Sequence, residues 1–140
     1  MELLTSSFRD TISTNNLEKI IFVYELLSQP DEDLLTRIPH ITHRNQTAIT
    51  FAKEDDIVLL NQPIDQQYLK WLRNLGLGTD KIYEFEGNGK TTLPELIKNE
   101  EREFLDEIIG GDERIYVPRI STTFEEEAAK HMGATLFGSP

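Results

Sequence analysis

Cysteine is missing altogether from the 140 residues, which removes disulfides, thiolate zinc sites, iron–sulfur clusters and a thiol nucleophile together. Basic residues are in deficit. Fourteen Lys plus Arg stand against 25 Asp plus Glu, a formal charge of −11. A surface of that sign does not wrap duplex nucleic acid, because phosphate binding is driven by Lys and Arg displacing counterions. Nor does it dock on an anionic lipid leaflet, which repels it. No apolar run approaches the roughly 20 residues that span a bilayer, and Met1 to Asn16 is polar, without the apolar core of a signal peptide. Two catalytic fingerprints are also absent. Glu25-Leu26-Leu27-Ser28 stands where a G-x-G-x-x-G would follow the first apolar burst, which counts against a dehydrogenase. No serine sits in a G-x-S-x-G elbow, so a hydrolase triad has no anchor. What remains is the expectation of a soluble, cytoplasmic domain, whose 38% hydrophobic residues are enough for a core.

Four apolar bursts have strand length: Ile20-Ile21-Phe22-Val23-Tyr24, Ile57-Val58-Leu59-Leu60, Ile82-Tyr83-Glu84-Phe85 and Ile115-Tyr116-Val117, the last stopped by Pro118. Thr135-Leu136-Phe137 reads as a fifth, short strand. Two of the bursts are continuously apolar, as in strands covered on both faces. Helical spacing lies between them. Ile41, Ala48, Ile49 and Ala52 share one face, and Tyr68, Trp71, Leu72 and Leu75 follow i, i+3, i+4, i+7 up to Gly76. Leu93 to Ile109 reads as a long helix or helix pair closed by Gly110-Gly111. Phe124, Ala128, Ala129 and Met132 mark a last helix, opened by a Thr122/Glu125 capping box and closed by Gly133. Strands alternating with helices predict βαβ crossovers: an α/β, Rossmann-like three-layer sandwich with a mostly parallel sheet of four to five strands. Residues 1–16 read as an N-terminal extension and 17–140 as one domain.

Ligands in such sheets bind beyond the carboxyl ends of the strands, so the loops after residues 24, 60, 86 and 118 are the ones to weigh. Gly87-Asn88-Gly89-Lys90-Thr91-Thr92 ends like a phosphate-cradling Walker A loop, but Glu84 stands where its first glycine belongs. A Gly/Asn turn leading to a helix with Pro94 in its first turn is the preferred reading. His40 and His43 have H-x-x-H spacing near Asp31 to Asp33, yet nothing supplies a held third ligand, and solvated histidines explain them. The acid runs Glu54-Asp55-Asp56 and Glu125-Glu126-Glu127 read mostly as solvated faces or dipole partners at element starts. Arg119-Ile120-Ser121-Thr122-Thr123 is better placed, between the fourth strand and the last helix. Its amides, hydroxyls and guanidinium suit a carboxylate or phosphate, while N-capping by Thr122 accounts equally for the segment. Asn61 to Asp65 holds the equivalent place after the second strand, with Asp65 as the expected cap.

The stretches Val117-Pro118-Arg119-Ile120-Ser121-Thr122-Thr123-Phe124-Glu125 and Gly133-Ala134-Thr135-Leu136-Phe137-Gly138-Ser139-Pro140 resemble the end of pre-ATP-grasp domains. Asp55-Asp56-Ile57-Val58-Leu59-Leu60 with Pro63-Ile64-Asp65 is similar to that group's second strand and loop. Such domains precede the ATP-grasp module of carboxylate–amine ligases related to bacterial peptide ligases. The resemblance implies a Rossmann-like fold and a non-catalytic role, packing against an ATP-grasp module in cis or in trans and helping to form its substrate cleft. Asn61, Ser121, Thr122, Thr123 and Gly138 are the residues expected to line that cleft, for a carboxylate or amino-acid substrate. ATP and Mg²⁺ are implied for the ATP-grasp module, whose lysines and metal ligands this sequence does not contain, and no cofactor is implied here. The chain by itself is therefore expected to be catalytically silent, the parent protein an ATP-dependent ligase. A stand-alone protein- or small-molecule-binding α/β domain without ligase activity is the alternative. An apolar patch left exposed, and with it a homodimer, is a further expectation.

Overall fold

A computed structural model describes residues 19–24, 48–61, 63–85, 91–110, 113–119 and 121–138. The N-terminal extension, His40, His43, the acids at 31–33 and the Gly87–Lys90 turn lie outside them. The strands are β1 (Lys19–Val23), β2 (Ile57–Leu60), β3 (Ile82–Glu84), β4 (Arg114–Pro118) and β5 (Thr135–Leu136). They form one sheet in the order β3-β2-β1-β4-β5, every neighbouring pair parallel. The helices are α1 (Gln66–Asn74), α2 (Leu93–Asn99), α3 (Arg102–Ile109) and α4 (Thr123–Met132).

The side-chain alternation of the strands sorts the core into two layers. Ile21, Val23, Ile57, Leu59 and Tyr116 face α2, α3 and α4 through Leu93, Ile97, Leu105, Ala128, Ala129 and Met132. Ile20, Phe22, Val58, Leu60 and Val117 face the other way, onto Ala48, Ile49, Ala52, Ile64 and, on α1, Leu69 and Leu72. This is the expected three-layer α/β sandwich. The unbroken apolar runs of β1 and β2 follow from it, because a central parallel strand buries both faces.

Local chemistry sets the element ends. Asp65 Oδ1 accepts from the N–H groups of Gln67 (2.9 Å) and Tyr68 (3.2 Å) and starts α1. The predicted long helix is a pair, interrupted at Glu100-Glu101 between α2 and α3. At the end of α4, Gly133 takes φ +77° and turns the chain into β5, a conformation that costs residues with a Cβ about 1 kcal/mol or more.

Three expectations need correcting. The core-facing side of α1 is Leu69 and Leu72, whereas Trp71 is 55% and Leu75 44% exposed. Tyr68 stands at the border, its hydroxyl 2.8 Å from Thr50 Oγ1, so burial follows the aliphatic pair and the aromatic stripe stays outside. The helix sketched on Ile41, Ala48, Ile49 and Ala52 is, where described, a single 3₁₀ turn at 48–50, though Ala48, Ile49 and Ala52 are buried as the spacing implied. Finally, Asp56 and Glu125 are not solvated but wholly buried.

Asp56 belongs to a polar knot at the amino-terminal edge of the sheet. Its Oδ1 accepts from Ile20 N (3.1 Å) and its Oδ2 from Lys53 N (2.9 Å). Thr79 donates to the Asp56 carbonyl (2.8 Å) and accepts from Lys81 N (3.1 Å). Arg114, buried at the start of β4, donates through Nε to Ile109 O (3.2 Å) and from its guanidinium to Asp55 O (3.0 Å). The side chains of Asp56 and Arg114 are bonded to backbone groups, as buried polar groups must be.

Candidate functional site

The strand order places the switch point of the sheet between β1 and β4. The chain leaves β1 toward β2 on one side and β4 toward β5 on the other, and the diverging connections open a crevice at the carboxyl edge. Val23 and Pro118 are in register across it, so the next residues, Tyr24 and Arg119, face each other. The Arg119 guanidinium carbon lies 5.6 Å from the Tyr24 ring centroid, a cation–π contact worth about 0.5–1 kcal/mol where exposed. Phe51 braces the ring edge-on at 6.1 Å. Arg119 is exposed, and no carboxylate among the described residues pairs with it.

Ser121, Thr122, Thr123 and Gly138 come together beside this pair, around the start of α4 and the end of β5. Ser121 donates its hydroxyl to Phe137 O at 3.0 Å. Gly138, at φ +90°, lets the backbone pass so close that a Cβ would stand 3.0 Å from Ser121 Oγ. Thr122 Oγ1 accepts from Glu125 N at 3.4 Å, one half of the expected capping box. In the other half the carboxylate is engaged elsewhere, bonded to the buried Tyr116 hydroxyl. Thr123 is exposed in the first turn of α4. The cap reading of this segment therefore holds, and it leaves Arg119 and Thr123 exposed.

Asn61 is set apart from that group. It ends β2, two inter-strand spacings from β4, or about 10 Å. There it is fully buried, with Nδ2 donating to Thr91 O at 3.1 Å. That bond ties β2 to the entry of α2, a framing role more than a ligand contact. Next to it Thr92, the N-cap residue of α2, makes no side-chain capping bond, and its buried Oγ1 has no hydrogen-bond partner.

Tyr24 was invisible as a site residue, since in the sequence it only extends an apolar strand; the β1–β4 register is what puts it against Arg119. Among the described residues no group of three or more His, Asp or Glu could hold a metal ion. Among its described residues the crevice presents the Arg119 guanidinium, and no step is derived through a metal or a nucleotide in this chain. No protein-family model, curated protein or solved structure matches the chain. The class that the fold defines is an α/β three-layer sandwich with an all-parallel sheet, and no helix among the described residues is long and apolar enough to cross a membrane.

Proposed function

We propose that this chain is a non-catalytic ligand-binding domain of pre-ATP-grasp type, whose switch-point crevice forms one wall of a cleft for a carboxylate substrate. The observation that carries the reading is Arg119, held against Tyr24 at the β1–β4 junction with no carboxylate partner among the described residues. A guanidinium in that position takes a carboxylate through two parallel N–H···O bonds. The α4 amino terminus adds the positive end of a ten-residue helix, and Thr123 adds a hydroxyl donor. Ser121 and Gly138 shape the wall through their close approach, and Asn61 holds its far side. The ATP and Mg²⁺ of the ligase reaction would come with an ATP-grasp module, in cis or in trans.

Titration calorimetry of the chain with small carboxylates and amino acids, alone and with an ATP-grasp module added, tests this. Binding is expected, and Arg119→Gln is expected to weaken it at least tenfold, the loss of a charge-assisted bidentate contact. Binding by the chain alone, unchanged by any module, favours the stand-alone binding domain. Binding in neither case, or binding indifferent to Arg119→Gln, refutes the carboxylate cleft.

A further inference from the structure

Strand register puts an exposed aromatic ring, Phe137, on the same face of the sheet as Arg119. Ile115 pairs with Thr135 and Tyr116 with Leu136, and the Phe137 N–H donates to Tyr116 O at 2.9 Å. The ladder therefore runs one residue past β5 and brings Phe137 beside Val117. Alternation then gives the face. Tyr116 and Leu136 pack on the side covered by α4, whereas Ile115 and Val117 belong to the opposite layer. Phe137, out of phase with Leu136, goes with Val117. Tyr24 packs against that same layer and carries the Arg119 guanidinium over its ring. Arg119, Tyr24 and Phe137 thus share one face.

Their spacing suits a small molecule. Phe137 lies one strand spacing across and two residues back from Arg119, about 8 Å between Cα atoms. The Arg119 side chain reaches to Tyr24, on the side of β4 away from β5. Val117 is buried, while Phe137 keeps 42% of its surface open. The Phe137 ring has no aromatic or cationic partner among the described residues. Its backbone is nonetheless fixed, by the N–H bond to Tyr116 O and by the Ser121 hydroxyl donating to its carbonyl at 3.0 Å.

We propose that the crevice takes a monocarboxylate with an apolar body, the carboxylate on Arg119 and the body against Phe137, which sets the preference. This rests on the carboxylate cleft proposed above and adds the class of molecule that fills it. One guanidinium matches one carboxylate in a bidentate pair. The rest of the chain brings the net charge to −11, a field that opposes a second negative group on the ligand. The other end of the ligand meets an aromatic ring, which favours alkyl or aryl groups through buried apolar area and ring stacking.

Chemical-shift titration of the full chain with acetate, hexanoate, 3-phenylpropionate and benzylmalonate tests this; benzylmalonate is 3-phenylpropionate with a second carboxylate. Hexanoate and 3-phenylpropionate should bind about tenfold tighter than acetate, or more. Benzylmalonate should bind no tighter than 3-phenylpropionate. Phe137→Ala should remove the advantage of the phenyl group and leave acetate unchanged, while Phe137→Leu should keep much of it. Trp71→Ala, at an exposed aromatic on α1, should change neither ligand, and Arg119→Gln should weaken both. Circular dichroism confirms the fold of each variant. Arg119-dependent acetate binding without a gain from the phenyl group, or a gain that Phe137→Ala leaves intact, overturns this inference and leaves the carboxylate cleft standing. Benzylmalonate binding tighter than 3-phenylpropionate overturns the monocarboxylate class. Absence of any Arg119-dependent binding overturns the inference and the cleft together.

Discussion

The buried pair Tyr116–Glu125 gives the sharpest test of how this core is held. Both residues are wholly inaccessible to solvent, and the Tyr116 hydroxyl on β4 is bonded to Glu125 Oε2 on α4. Around them lie Leu105, Ala128, Ala129 and Met132. Tyr116→Phe removes one oxygen and leaves ring and cavity unchanged, so packing is constant and the lost hydrogen bond is isolated. Taking one partner from a buried carboxylate costs about 1–3 kcal/mol. For 140 residues the unfolding entropy converts each kcal/mol to about 3 °C, so Tm should drop by about 3–10 °C. Glu125→Gln keeps an acceptor for the hydroxyl and should cost less. In Tyr116→Phe with Glu125→Leu, neither polar group is left to be satisfied. That double variant should lose less than the sum of the single changes Tyr116→Phe and Glu125→Leu, with a coupling of about 1 kcal/mol or more. Thermal and urea unfolding of the four proteins in this cycle read the effect. A Tyr116→Phe protein within about 0.5 kcal/mol of the parent, or additive single changes, would refute the reasoning.

Two further outcomes follow from the edges of the sheet. Asp56→Ala strips acceptors from the buried N–H of Ile20 and from Lys53 N and should lower the urea-unfolding free energy by about 2–4 kcal/mol, with Asp56→Asn costing less because one oxygen remains. Gly138→Ala meets both a φ of +90° and the Ser121 hydroxyl; it should weaken carboxylate binding, and Ser121→Gly in the same chain should recover part of the loss but not the backbone strain.

Much of the fold could be read directly from the residues. The five strands were expected within a residue or two, because β-branched runs bounded by turn residues leave few other structures available. Asp65, Gly76, Gly110 and Gly133 marked helix ends for local reasons that tertiary packing does not override. What was hidden depended on partners far away in the chain. Asp56 and Glu125 looked like members of exposed acid runs, and the hydrogen bonds from the Ile20 amide and the Tyr116 hydroxyl that accompany their burial are set by the fold. The rotation of α1 turned on Leu69, which the aromatic spacing through Tyr68, Trp71 and Leu75 obscured. The candidate site was half legible. Ser121, Thr122, Thr123 and Gly138 do converge, whereas Asn61 lies two strands off, and Tyr24 enters through strand register alone.

The polar knot of Asp56, Thr79 and Arg114 sits at the amino-terminal edge of the sheet, and the crevice at the carboxyl-terminal edge. Loss of stability and loss of ligand binding should therefore map to opposite ends of the same strands. Arg119 and Thr123 are exposed at the carboxyl-terminal edge, outside the hydrogen bonds of Asp56, Thr79 and Arg114 that lock the strand starts, so under the proposed function their exchange should alter ligand preference more than stability. The anchored strand starts and the lip of the crevice are joined by central strands only four or five residues long, so on the proposed function substitutions at the two ends should act nearly independently.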